Sequence, residues 1–508
     1  MTEMGHSIEN NTPIIPLWLL VLAQGVISAA SLVVEIVAGR MLAPHVGMSL
    51  YTWTAVIAVV LAGFSVGHWW GGKLAEKPSA SALKWTGGAL LAGAATTGGA
   101  VLLLPIVAGP VLASLSQPVW SIIALTTLVF FLPSFFAGAP APVLAKIAVD
   151  TAPRTGPALG AIFAAGAVGA IAGTLLAGFL FISWLGSSTT LVVVTVIYVV
   201  TGLLFFWLSG WSRTRGEIGA SVLVLCIAFY AINAPQACDR ESQYFCLRIE
   251  DVSANADDPV RLLVIDHLAH GISAKRLPEV QFTEHTAMLD RLSTLRAPKS
   301  DFSSFHIGGG NFAVPRAFSV RASGPITVAE IDPTVTEIAT EHFWFDPDSA
   351  TVLHEDGRNA LLTRPNDHYD IIIGDAFTDV VVPVHLVTLE FFQLVSERLS
   401  DDGSFLMNVV DHESNLRALG SIIRTMSGVF PVVEVWTVRA RPLPGQRMVF
   451  VVVGGERRTS VDSFVVSAPE PTPFGALADG LVAQISGQHG QVLTDDYAPI
   501  DRLMARRN

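Results

Sequence analysis

The chain has 508 residues, 51% of them apolar and only 15% charged, with a formal net charge of −12. Soluble domains carry roughly 25% charged residues, so the composition excludes a wholly soluble globule. The shortfall is local: residues 1–235 hold 8 Lys and Arg against 6 Asp and Glu, leaving 23 and 37 for residues 236–508. A multi-pass membrane domain (1–235) is therefore expected ahead of a soluble one, with a linker and small β-element at 236–300 and the main soluble domain at 301–508. The net −14 of the soluble part disfavours nucleic acid, whose binding rests on neutralising phosphates. No Cys/His spacing resembles a zinc site, so no metal is expected.

Seven apolar runs, at about 14–38, 52–70, 86–107, 119–138, 158–182, 189–208 and 218–234, approach the ~20 residues that cross ~30 Å of hydrocarbon. The connections 71–85, 139–157 and 209–217 carry seven Lys and Arg, while 39–51, 108–118 and 183–188 carry only Arg40. That bias predicts a cytoplasmic N-terminus in an inner (plasma) membrane, with everything beyond Ala234 outside. Cys238 and Cys246 flank a short polar stretch there; their spacing alone is weak evidence for a disulfide and gains weight outside the cytoplasm. Gly63, Gly67 and Gly71, and again Gly169 and Gly173, are spaced for close helix contact. Glu35 is the one acid well inside a span. It is either functional or, near Arg40, a side chain reaching for the interface.

From about residue 247, β-branched runs alternate with helical patterns. Strands are predicted at 261–265, 303–307, 325–329, 369–374, 404–410 and 447–453, with helices such as 333–342 and 386–399 between them. This alternation predicts a parallel sheet covered on both faces, the first run standing apart in the small β-element. Four strand ends then carry chemistry. HIGGG (306–310) runs a strand into a glycine turn with Gly308, Gly309 and Gly310. VAEIDP (328–333) places Glu330 after the next strand. HEDGR (354–358) supplies Asp356, and YDIIIGDAFTD (369–379) supplies Asp375 and Asp379. Acids and glycines at successive carboxyl ends of parallel strands point to one crevice. Singly, each is compatible with helix capping or turn formation.

Residues 261–453 resemble the polyamine aminopropyltransferases, the spermidine synthase family on a methyltransferase-type Rossmann sheet. The matched motifs are HIGGG, VAEIDP, the DGR at 356–358, YDIIIGDAF and HLVTLEFF (385–392). With GRMLAP…YTW…GGKLA (39–75) and LTDDYAPID (493–501), the whole chain is similar to membrane-fused bacterial spermidine synthase-like proteins. The resemblance implies that Gly308, Gly309 and Gly310 meet the nucleoside and amino-acid end of decarboxylated S-adenosylmethionine. Glu330 would bind its ribose and Asp356 its adenine. Asp375 would be the general base toward an amine, and Asp379 would hold that amine's other cationic end.

The departures are specific. Asn311 stands for the family's aspartate and Phe312 for a glycine, which narrows the turn; His270 and the pair Glu284-His285 replace amine-reading residues. These changes put the amine in question, and an outside crevice would lack a cytosolic donor. A second reading is therefore an extracytoplasmic acid–base enzyme, a lyase or transferase on an envelope glycan or lipid-linked sugar, using Asp375, Glu330, His270 and His285. His270, His285 and His385 are equally compatible with structural roles. A third reading is a transporter with a sensor domain. The expected partners are membrane lipid, a small amine or an envelope glycan, and a second copy of the chain in a homo-oligomer. The acidic turn Asp495-Asp496-Tyr497 reads as a helix cap or as part of the resemblance.

Overall fold

The computed structural model describes residues 15–115, 117–210, 215–321, 323–377, 381–440, 442–443 and 445–504. The chain divides into two compact units, Met1–Cys246 and Leu247–Asn508.

The first unit is helical: α1 (Leu17–Val46), α2 (Leu50–Ala75), α3 (Ser79–Ser114), α4 (Pro118–Gly138), α5 (Pro140–Thr151), α6 (Thr155–Leu176), α7 (Ile182–Leu208) and α8 (Arg215–Asn233). Among the described residues, six helical stretches are long and apolar enough to cross a membrane. The longest, Thr155–Leu208, has 54 residues. At 1.5 Å per residue it would reach about 80 Å, more than twice the hydrocarbon thickness. Gly186, with φ 75° and ψ 168°, breaks it, and the two apolar runs 158–182 and 189–208 lie on either side of that break.

The glycine rows do what their spacing predicts. A Cβ at Gly67 would stand 2.1 Å from the Phe135 carbonyl oxygen on α4, and one at Gly71 2.2 Å from that of Ala139. At Gly169 and Gly173 it would meet the carbonyls of Gly25 and Ala29 on α1 at 2.1 and 2.2 Å. No side chain fits there, and backbone packs on backbone.

One end of this unit is tied together by polar contacts. Glu241, in the short strand β1 (Arg240–Glu241), accepts from the Ser187 backbone N–H at 2.8 Å and its hydroxyl at 2.6 Å. Its carboxylate thus satisfies donors freed at the Gly186 break. Arg40 donates to the carbonyls of Ser242 (3.0 Å) and Tyr244, and Cys238 is disulfide-bonded to Cys246. Residues from 39–51, 183–188 and 236–246 therefore share one end. Glu35 is half-buried on α1.

The second unit begins with an antiparallel meander, β2 (Cys246–Asp251), β3 (Val260–Ile265) and β4 (Leu268–Ala274), so the first predicted strand does stand apart. After α9 (Glu284–Arg296) come β5 (Ser304–Ile307), α10 (Ala313–Val320), β6 (Ile326–Ala329), α11 (Pro333–His342), β7 (Thr351–Leu353), α12 (Gly357–Thr363), β8 (Tyr369–Gly374), α13 (Leu389–Arg398), β9 (Leu399–His412) and α14 (Arg417–Met426). The chain then adds β10 (Val432–Val438), β11 (Arg447–Gly455), β12 (Ser463–Val466), β13 (Thr472–Ala476) and α15 (Asp479–His489). The nine-stranded sheet runs β12-β13-β10-β11-β9-β8-β5-β6-β7. Strands β5 to β9 are mutually parallel and the remainder antiparallel. β8 is buried along its whole length, as a central strand covered on both faces must be. Phe305, Ile372, Phe391, Phe392 and Phe405 form part of the core between sheet and helices.

Candidate active site

The parallel strands lie in the order β9-β8-β5-β6-β7, so the winding direction reverses between β5 and β8. The carboxyl ends flanking such a reversal open a crevice, because the helices that follow leave in opposite directions. The glycine turn follows β5 and Asp375 follows β8. The two tips touch: Asp375 N–H donates to the Ile307 carbonyl at 2.9 Å, and a Cβ at Gly308 would stand 2.5 Å from the Asp375 carbonyl oxygen. With φ of 92° as well, position 308 requires glycine.

Glu330, at the end of β6, is buried and shapes this turn. One carboxylate oxygen accepts from Gly309 N–H at 2.8 Å and the other from Asp332 N–H at 2.9 Å. Burial raises its pKa, and these backbone donors oppose the rise. Phe312 begins α10 in the left-handed region (φ 55°), fully buried, its ring 2.3 Å from where a Gly309 Cβ would lie and in tilted contact with Phe345, the ring centroids 4.3 Å apart. The aromatic thus fills space beneath the turn. Asn311 is buried and donates to the Ser273 hydroxyl at 3.0 Å, fastening the turn to β4.

Asp375 is gripped on one side and open on the other. Asn408 of β9 donates through Nδ2 to Asp375 Oδ1 at 2.8 Å, while His285 Nε2 stands 3.9 Å from Oδ2. His285 belongs to the first turn of α9, directly after the exposed Glu284. The other end of α9 is pinned by the buried Arg296, which donates to Glu434 (2.8 Å), Thr459 (3.0 Å) and Ser404 (2.9 Å). His270, on β4, feels the charges of Asp375, His285 and His267. Its Nδ1 lies 3.1 Å from the Leu268 carbonyl. Burial lowers its pKa, so the neutral ring donates from Nδ1 and keeps the Nε2 lone pair as an acceptor.

Asp356 caps α12, accepting from Asn359 N–H at 3.0 Å, and pairs with His385 Nε2 at 2.6 Å, which holds its carboxyl below the usual range. Arg358 grips Asp495 through two bonds of 2.7 and 2.6 Å, and Thr388 adds a third at 2.7 Å. Asp495 is thus the acid of a bidentate ion pair that ties the C-terminal segment to α12.

The structure therefore brings Asp375, His270 and His285 together at one strand tip, with Glu284 next to His285 on α9. Gly308, Gly309, Gly310 and Glu330 form the adjoining turn, and Asp356 stands with His385 at the end of β7. Asp379 lies outside the described residues. Sequence reasoning missed Asn408, although SFLMNVV carried the signal: an amide inside an apolar strand must be hydrogen-bonded to something. It also missed the Arg358–Asp495 pair, whose partners are too far apart in the chain for local reading.

Residues 306–463 match the family model "Spermine/spermidine synthase domain". A polyamine aminopropyltransferase of Vibrio vulnificus is 33% identical over 118 residues, 21% of this chain and 40% of that protein. An N-terminal histidine N-methyltransferase of Emericella nidulans is 32% identical over 132 residues, 25% of this chain and 23% of that protein. The chain thus spans well under half the length of these relatives. A crystal structure of a probable spermidine synthase from Corynebacterium glutamicum overlaps 50% of this chain and 95% of that one, at 22% identity and a TM-score of 0.42. A doubly wound sheet with glycine and acid tips at its reversal, matched along 306–463, identifies the C-terminal unit as carrying a spermine/spermidine synthase domain.

Proposed function

We propose that this protein is a membrane-bound group transferase of spermidine synthase type, with Asp375 as general base. The observation that carries this reading is Asp375 at the reversal point, its Oδ1 tied to Asn408 and its backbone packed against the glycine turn. A protonated amine has no lone pair for attack. A carboxylate beside it removes one proton as the free lone pair attacks the donor's methylene carbon. The carbon–sulfur bond breaks, its electron pair returns to sulfur, and the nucleoside thioether leaves. In this reading the donor, decarboxylated S-adenosylmethionine or a related sulfonium nucleoside, lies against Gly308, Gly309 and Gly310, with Glu330 at its ribose and Asp356 toward its base.

The disulfide Cys238–Cys246 and the distribution of Lys and Arg support a soluble unit outside the cytoplasm of an inner membrane. That placement, with two histidines beside Asp375, favours a second reading. The fold would then run acid–base chemistry on an envelope glycan or lipid-linked sugar without the nucleoside. Calorimetric titration of the full chain with decarboxylated S-adenosylmethionine and with methylthioadenosine separates the two. Saturable binding supports the transferase, and no heat for either ligand removes it.

A further inference from the structure

An asparagine inside a buried strand is an expensive choice. Asn408 is 3% exposed in β9, between Met407 and Val409, both about 1% exposed. Its Nδ2 makes the 2.8 Å bond to Asp375 Oδ1, while its Oδ1 is buried with no hydrogen-bond partner among the described residues. The opposite orientation of the amide would set its oxygen against a carboxyl oxygen, so the arrangement with Nδ2 toward Asp375 is the one that makes a hydrogen bond to a carboxylate. Half of the amide is thus left unsatisfied, and the other half touches a single group. Leucine has nearly the same shape and would carry neither burden.

We propose that Asn408 is a positioning residue for Asp375: by donating to Oδ1 it leaves Oδ2 as the oxygen that faces the substrate. The inference rests on the function proposed above only in taking Asp375 as the working group. Geometry supports the division of labour. Oδ2 is the oxygen turned toward His285 Nε2, at 3.9 Å, and the Asp375 side chain is 25% exposed, so that edge is open to the crevice. Among the described residues, His270 on β4, with its Nδ1 committed to Leu268, also interacts with the Asp375 carboxylate, and Glu284 sits beside His285 on α9. Asn408 is the contact from the sheet itself, through the parallel pairing that sets Gly374 beside Met407.

A carboxylate that loses a donated hydrogen bond binds its proton more tightly. A neighbouring second carboxylate has a stronger effect in the same direction, because two like charges at hydrogen-bond distance share a proton. A merely structural asparagine would leave the Asp375 titration where it was and would lower stability on removal.

The test is pH-titrated infrared difference spectroscopy of the full chain in detergent, with the Asp375 carboxyl band identified by its loss in Asp375→Asn. The expected result is an upward shift of that band's midpoint by one pH unit or more in Asn408→Leu and by more in Asn408→Asp. Thermal stability of Asn408→Leu should equal or exceed that of the unmodified chain. A midpoint unchanged in both variants overturns the proposal. If Asn408→Leu fails to fold, Asn408→Asp and Asn408→Ser still report: the serine retains a donor, so its midpoint should lie between those of the unmodified chain and Asn408→Asp. The infrared readout needs no substrate. Full group transfer by Asp375→Asn would therefore sink the proposed function separately, without touching this result.

Discussion

His306 shows how a single residue couples the site's scaffold to pH. It lies on β5, one residue before the end of the strand that leads into the glycine turn, fully buried, with its Nε2 at 3.1 Å from the Ser304 hydroxyl. Burial pushes its pKa down to about 3. An unfolded histidine titrates near 6.5, so between those values the unfolded chain binds the extra proton and the folded one does not. Stability is therefore intact above pH ~6.5 and falls as pH drops toward 3, by at most ~1.4 kcal/mol per unit. His306→Leu should flatten that part of the acid-denaturation curve, read by circular dichroism.

Asp495 behaves oppositely. The Arg358 guanidinium holds it down to about 2. Its contribution is present above ~4 and disappears as pH falls through 2. The pair is partly exposed, 19% for Arg358 and 44% for Asp495, so Asp495→Ala should cost under ~1 kcal/mol. Its clearer effect should be loosening of residues 491–504, seen as faster amide exchange.

At the scale of elements, α9 is held at both ends by side chains with different tasks. Arg296 is 2% exposed and binds Glu434 inside the fold, so Arg296→Ala strands a buried carboxylate. The expected cost is ~3–5 kcal/mol in thermal unfolding of the full chain. Because the same helix presents His285 to Asp375, milder replacements there should disturb the site before they disturb the fold. In the helical unit, Gly169→Leu should drive α6 away from α1, since its Cβ alone would fall 2.1 Å from the Gly25 carbonyl oxygen. The expected readout is loss of folded, detergent-stable protein.

The strands and helices that bound the crevice were legible because each is short, β-branched or amphipathic, and punctuated by glycine or a capping acid. Helix 333–342, opened by the Asp332 cap and Pro333, agrees with the observed α11 to the residue. The antiparallel extension β10, β12 and β13 was less legible. β12 alternates exposed and half-buried positions, and β10, though buried at its centre, pairs with β13 across the two strands that lie between them in sequence, which no local pattern encodes. Of the site, the strand-tip acids and glycines could be read because backbone geometry demands them. The grip of Asn408 on Asp375 and of Arg358 on Asp495 depends on tertiary pairing that no local pattern encodes.

The whole molecule joins an apolar helical unit to a second unit whose glycine and acid strand tips meet at one topological reversal. Protease accessibility of the second unit in intact cells with a permeabilised outer envelope should show cleavage if the Arg40–Ser187–Cys238 end faces outward; protection would reverse that orientation. The central claim is that Asp375 acts as the base in transfer from a sulfonium nucleoside. It is tested most directly by supplying the purified full chain with decarboxylated S-adenosylmethionine and a diamine and measuring release of methylthioadenosine by mass spectrometry. The account predicts enzyme-dependent release that drops about 100-fold or more in Asp375→Asn, in keeping with loss of a general base. Release that is absent from the unmodified chain, or unchanged in the variant, would contradict it.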